Sequence, residues 1–263
     1  MNGELAQVVA LVSHGNVWLH GHADAASRLD RDHPAFEYVR SVSFRRVDRP
    51  RNRTRSVAGW FRALGRAGAR RTWVLTEVPR SSIHPSDVSA HQLVAFANAG
   101  GWAIGVEQAD EDELWTAAWK FACGGVWEVE YRGVSLEAPI ASLRPATDIP
   151  KATAILGAAL EGILAFATEH AIHPWAGHFR EALDAEDDGL VSALLPPAGY
   201  TAEACHLMSV AAKAWVFGGM GSWNDLAFSG SDEDRYRELT SALYAAVLEG
   251  IAAAANAFHP SDI

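Results

Sequence analysis

Lysine and cysteine are both scarce in this chain. Of its 22 basic residues only Lys120, Lys151 and Lys213 are lysines. With abundant Ala and Gly, that bias points to a GC-rich, bacterial coding sequence. The two cysteines, Cys123 and Cys205, are far apart, with no CxxC or Cys/His ligand spacing around either. A disulfide framework and a cysteine-based zinc site are therefore excluded, and both residues are expected as buried thiols in a reducing cytoplasm. No segment reaches the ~18 uninterrupted apolar residues of a membrane helix, because Glu249 interrupts even the alanine-rich stretch from Ser241 to Phe258. The N-terminal MNGELAQVV carries an acid where a secretory signal carries basic residues, so a cytoplasmic protein with no membrane contact is expected. Nucleophile-elbow GxSxG, zinc-helix HExxH, P-loop and GxGxxG motifs are missing too, which leaves no catalytic signature and indicates no cofactor.

What remains is an ordinary globular composition: 263 residues, 49% of them hydrophobic, with a mean hydropathy of −0.02. That length suffices for one large or two small domains. The net charge of −10 conceals a strong asymmetry. Arg40 to Arg80 contains twelve arginines against Asp48 and Glu77, a local balance of +10 that leaves −20 for the remainder. A generic nucleic-acid binder, whose basic residues dominate a whole face, does not look like this.

The chain divides near SLRPATDIPKAT, residues 142–153, into a strand-like half and a helical half. The first half reads as hairpins. QVVALVSHGNVWLHG places two apolar runs around His14-Gly15-Asn16. FEYVRSVSFRRV alternates, and RTWVLTEV is β-rich. QLVAFANAGGWAIGVEQ bends at Gly100-Gly101, unless its first residues are helical, and ELWTAAWKFACGGVWEVEYRGV bends at Gly124-Gly125. Seven of the ten tryptophans lie in this half. In the second half Asp148 and Pro150 open one helix, a break at His173-Pro174 leads to another, a third runs from Thr201 to about Phe217, and a fourth starts in a capping-box spacing at Ser231 and Asp234. The expected fold is α+β: an N-terminal tryptophan-rich antiparallel β-meander (1–145) packed with a C-terminal bundle of about four helices (146–263), as two regions or one continuous domain.

Three stretches invite a functional reading. In AWVFGGMGSWNDLAF, Gly218 and Gly219 can stop the third helix in the left-handed conformation while Ser222, Asn224 and Asp225 bond the loop's own backbone. The alternative is a pocket in which Trp215, Gly219, Gly221, Trp223, Asn224 and Asp225 meet a ligand or partner. In VWLHGHADAA, His20, His22 and Asp24 have the donor types for Zn²⁺ and resemble the opening of the metallo-β-lactamase metal pattern over about ten residues. Ala25 stands where that pattern continues with histidine, and the strand grammar around it differs. In the arginine segment, Arg51, Arg53 and Arg55, with Trp60 and Phe61 nearby, offer phosphate or acidic-partner contact, against the plainer reading of a solvated loop that balances the acidic half. Glu169, His170, His173 and His178 flank a helix break, and Asp110 to Glu113 read as a solvated acidic turn.

The sequence therefore favours a non-catalytic bacterial cytoplasmic binding protein, of immunity or adaptor type, acting by protein–protein contact. An enzyme or small-molecule binder with a pocket at GGMGSWND is the alternative, and RNA or phosphate binding by the basic segment is the third reading. Oligomeric state is open.

Overall fold

The computed structural model describes residues 1–48, 53–76, 78, 88–187 and 189–260. Helix α1 (Gly3–Leu19) comes first, then β1 (Val39–Arg46), β2 (Arg53–Thr54), α2 (Val57–Arg66), β3 (Arg71–Leu75), α3 (Ala90–Leu93), β4 (Ala103–Glu107), β5 (Glu113–Ala122) and β6 (Val126–Ser135). The second half contributes α4 (Ile149–Glu169), α5 (His173–Leu183), α6 (Leu190–Leu194), α7 (Ala202–Lys213) and α8 (Ser231–Asn256). The fold is α+β. One six-stranded sheet has the order β2-β1-β6-β5-β4-β3, and it includes the antiparallel meander β3–β6. At its other side β1 joins β6 in parallel, so the sheet as a whole is mixed.

The N-terminal hairpin expected around His14-Gly15-Asn16 is not there: α1 runs straight through it. Asn2 caps the helix by accepting from the Leu5 amide at 3.0 Å, and every residue from Leu5 to Val17 is buried. A helix buried on all sides, with Gln7, Ser13, His14 and Asn16 among its apolar residues, shows no single apolar face and sits at the centre of the fold. The three residues that resembled a turn serve packing instead. His14 bonds the carbonyls of Ala25 and Ala193. Gly15 makes room for the Phe61 ring and the Thr72 hydroxyl, since a Cβ there would lie 3.2 Å from Phe61 Cε1. Asn16 reaches the sheet, donating to Thr72 O at 3.0 Å and accepting from Thr72 N at 2.7 Å.

That last pairing recurs. Strand β3 is an edge, and Val74, two residues on, points the same backbone groups outward. Asn256 of α8 accepts from Val74 N at 2.8 Å and donates to Val74 O at 2.9 Å. Where β5 runs beyond its pairing with β4, Asn98 does the same for Trp119, at 2.6 and 2.9 Å. In each case a carboxamide replaces the missing neighbouring strand, satisfying an edge that would otherwise hold orphaned donors and acceptors. Arg71 adds a further tie, donating to Asn256 O at 2.6 Å and Phe258 O at 3.0 Å while it stacks on Trp73.

The inner face of the sheet is aromatic. Phe44 stacks on Trp60 at 4.4 Å and on Tyr131 at 5.2 Å, and Gly133 leaves space for the Trp115 ring beside it. A single hydrophobic cluster continues from this layer through α1 into α4, α5, α7 and α8. The second half is helical as expected, with the short α6 added and α7 ending at Lys213 rather than about Phe217. The cap of α8 is Gly230 rather than Ser231, and the Glu233 carboxylate accepts from Phe228 N instead of completing a capping box. The expected hairpin at Gly100-Gly101 is replaced by α3 and a loop leading into β4. Helices α4 and α8 are long and apolar enough to cross a membrane by length and composition, although no uninterrupted run in the sequence suggests it. Of the apolar window, 61% is buried in α8, as in a core helix, and 28% in α4.

Candidate functional site

The GGMGSWND loop is held from inside. Trp223 is fully buried, its indole donates to Thr240 Oγ1 at 2.8 Å, and its carbonyl accepts from the Tyr236 hydroxyl at 2.6 Å. Half-buried Trp215 donates to Phe217 O at 2.7 Å. Helix α7 ends at Lys213, before the glycines. The residue with left-handed φ is Gly221, at +83°, rather than Gly218 or Gly219. Asp225 accepts from the Gly221 amide, closing the turn. Gly219 and Gly221 are exposed at its tip. Asn224 points the other way, into the protein: its Nδ2 donates to His91 O at 2.8 Å, and its Oδ1 lies 2.9 Å from His91 Nδ1. On the far side of that imidazole, Nε2 lies 2.9 Å from Ser89 Oγ. Burial lowers the His91 pKa, with the Asn224 bond opposing it. His91 also lines a cavity of about 750 Å³ bounded by Thr76, Gly101, Arg144 and α8.

His20, His22 and Asp24 follow the end of α1 and enter a 3-10 turn, not a strand end. His20 Nδ1 bonds Asn16 O and its ring packs on Phe258, while Asp24 pairs with Arg28. Among the described residues, no three His, Cys, Asp or Glu side chains are grouped so as to hold a metal ion. The histidines near Pro174 also separate: His170 packs on Phe166 and Phe228, His178 bonds Lys213 O, and Glu169 pairs with Arg235. Glu113 is not the solvated acid expected: it is buried at the start of β5, paired with Arg46, and accepts from the Trp115 indole.

Arg51 lies outside the described residues. Arg53 and Arg55 line a concave outer face of the sheet with Lys120 and Arg132. Its centre is acidic. Glu130 lies within ion-pair distance of Arg45, Arg53 and Arg132; partial burial raises its pKa, but the hydrogen bonds and charges of Arg132 and Arg45 outweigh it and lower the pKa. One carboxylate shared by three guanidiniums leaves this cluster net positive, and Arg53, the most distant of them at 3.6 Å, stays half-exposed.

The surface that stands out was not singled out in the sequence. The β5–β6 hairpin carries Trp115, Trp119 and Phe121 on one face, opposite Gly133, Val129 and Trp127. Toward its tip this inward face loses its cover, so Phe121 is 63% exposed, joined by Tyr38 at 64% and Phe96 at 68%. Trp127 contacts Phe121 at 5.1 Å and Trp119 at 6.1 Å. Tyr38, Phe96, Trp119 and Trp127 line one concavity of about 470 Å³. Cys123, expected buried, is an exposed free thiol at this tip. The alternation of the strand hints at the aromatic row, but where the helices stop covering it is not written there. No tryptophan is fully exposed, so the row's half-buried members extend an exposed patch made by Tyr38, Phe96 and Phe121.

No protein-family model, curated protein or solved structure matches the chain.

Proposed function

We propose that this is a cytoplasmic binding protein that acts by protein–protein contact through the aromatic patch at the β5–β6 tip. One observation carries the reading: Tyr38 and Phe96, each about two-thirds exposed, line one concavity with half-buried Trp119 and Trp127, and the equally exposed Phe121 packs on Trp127 at 5.1 Å. Their exposed area is on the order of 400 Å², comparable to the largest apolar patch of a typical monomer, which is often functional. Aromatic anchors ringed by polar groups are the usual energetic centre of an interface. Glu4 and Glu37 border the patch, and the chain's net charge is −10, so the partner expected is an apolar surface with a basic rim.

The test is a photo-crosslink from the patch itself. A benzophenone maleimide on Cys123, in a Cys205→Ala background, should trap one protein in stoichiometric yield in cells of the source organism. Tyr38→Ser, Phe96→Ser and Phe121→Ser together should abolish that adduct without changing the circular dichroism spectrum. An adduct that survives the triple change, or no adduct at all, would overturn the proposal.

A further inference from the structure

We propose that Ser89, His91 and Asn224 form a nucleophile–base relay beside the cavity under α8, able to take the acyl group of a small ester onto Ser89 Oγ. The argument starts from the amide. Because Asn224 Nδ2 donates to the His91 carbonyl at 2.8 Å, its orientation is fixed and Oδ1 is the atom facing His91 Nδ1 at 2.9 Å. An amide oxygen only accepts, so Nδ1 carries the imidazole proton and Nε2 is left as a bare acceptor. That bare nitrogen lies 2.9 Å from Ser89 Oγ. A nucleophile, a base at hydrogen-bond distance and a third group orienting the base are the three elements such chemistry requires.

The surroundings suit the role. His91 is buried and its pKa lowered, so the ring is neutral at pH 7 and can receive a proton. Ser89 is half-buried and its neighbour Ala90 lines the cavity with His91. About 750 Å³ admits a small organic molecule. The hydroxyl has one proton and two acceptors, His91 Nε2 at 2.9 Å and Gln92 Oε1 at 2.8 Å, so it turns from Gln92 to Nε2 for the transfer.

In the reaction, Ser89 Oγ bonds to the ester carbonyl carbon as its proton passes to His91 Nε2. The tetrahedral adduct then breaks its bond to the alcohol oxygen, which leaves with that proton. Water repeats the sequence on the acyl-serine, giving a proton to Nε2, releasing the carboxylic acid and restoring the hydroxyl. Asn224 touches none of the reacting atoms and is a positioning residue.

The full-length protein should be treated with a fluorophosphonate probe and with p-nitrophenyl acetate. The expected results are one probe equivalent on Ser89 by peptide mapping, and nitrophenol release that Ser89→Ala abolishes and His91→Gln slows by roughly 10²–10⁴-fold. Asn224→Asp places a carboxylate against Nδ1, stabilises the imidazolium, and should move the acid limb of the pH–rate profile to higher pH. A purely structural role would not move that limb. Absence of label, label on another residue, release unchanged in Ser89→Ala, or an unmoved limb in Asn224→Asp would overturn the proposal.

Discussion

Replacing Asn256 by alanine tests the idea that side-chain amides stand in for a missing strand. Asn256 is fully buried, and its carboxamide makes both hydrogen bonds of the outward-facing Val74 backbone, at 2.8 and 2.9 Å. Alanine keeps the helix and the Arg71 bond to the Asn256 carbonyl, because that bond uses the backbone. It leaves one N–H and one C=O of Val74 without partners in a dry position, at about 1–3 kcal/mol each. The expected loss is therefore about 2–6 kcal/mol, a large share of the 5–15 kcal/mol typical of a folded chain. With a urea slope of about 3 kcal/mol per M, the denaturation midpoint should fall by about 0.7–2 M while the slope is unchanged. Asn256→Asp is the control for shape: it preserves volume but sets an anion against the Val74 carbonyl, and should destabilise at least as much. Hydrogen exchange read at the Val74 amide should lose protection in Asn256→Ala, whereas in Asn256→Asp the remaining oxygen still accepts from that amide. A stability loss under about 1 kcal/mol with Val74 still protected would refute the reasoning.

Other expectations follow from the same packing. Glu113→Gln breaks a pair in which Glu113 is buried and Arg46 nearly so, and should cost about 3–5 kcal/mol in chemical denaturation, less where Asp48 keeps Arg46 compensated. Gly15→Ala sets two effects of opposite sign against each other. Helix propensity would gain about 1 kcal/mol, but a Cβ at 3.2 Å from Phe61 and 3.4 Å from Thr72 Oγ1 overpacks the core at about 1–3 kcal/mol, so calorimetry should show a net loss. Burial is the largest cause lowering the pKa values of His14, His33, His91 and His178, with their hydrogen bonds pulling the other way. The unfolded chain then binds more protons as pH falls through the ordinary histidine value of 6.5, so stability should rise with pH up to about that point and decline below it. A Tm that stays level between pH 7.5 and 5.5 would contradict this.

By itself the sequence determined the parts whose signal is local. The glycine pair between two alternating runs specified the β5–β6 hairpin, since both Gly124 and Gly125 adopt positive φ. Asp148 with Pro150, and Thr201, specified where α4 and α7 begin, because a side-chain oxygen can satisfy a helix's first amides only from that position. Tertiary structure decided the rest. Two apolar runs without a helical period do not distinguish strand from buried helix, so His14-Gly15-Asn16 between them reads as a turn, whereas α1 uses the histidine, the glycine and the amide at three different contacts. Asn16, Asn98 and Asn256 are ordinary residues in the sequence and become strand surrogates only when the fold brings a sheet edge to them. Asn224 was legible as a loop residue, but its partner His91 lies 133 positions away. The exposure of Tyr38, Phe96 and Phe121 depends on where the helices cease to cover the sheet, and that boundary exists only in three dimensions.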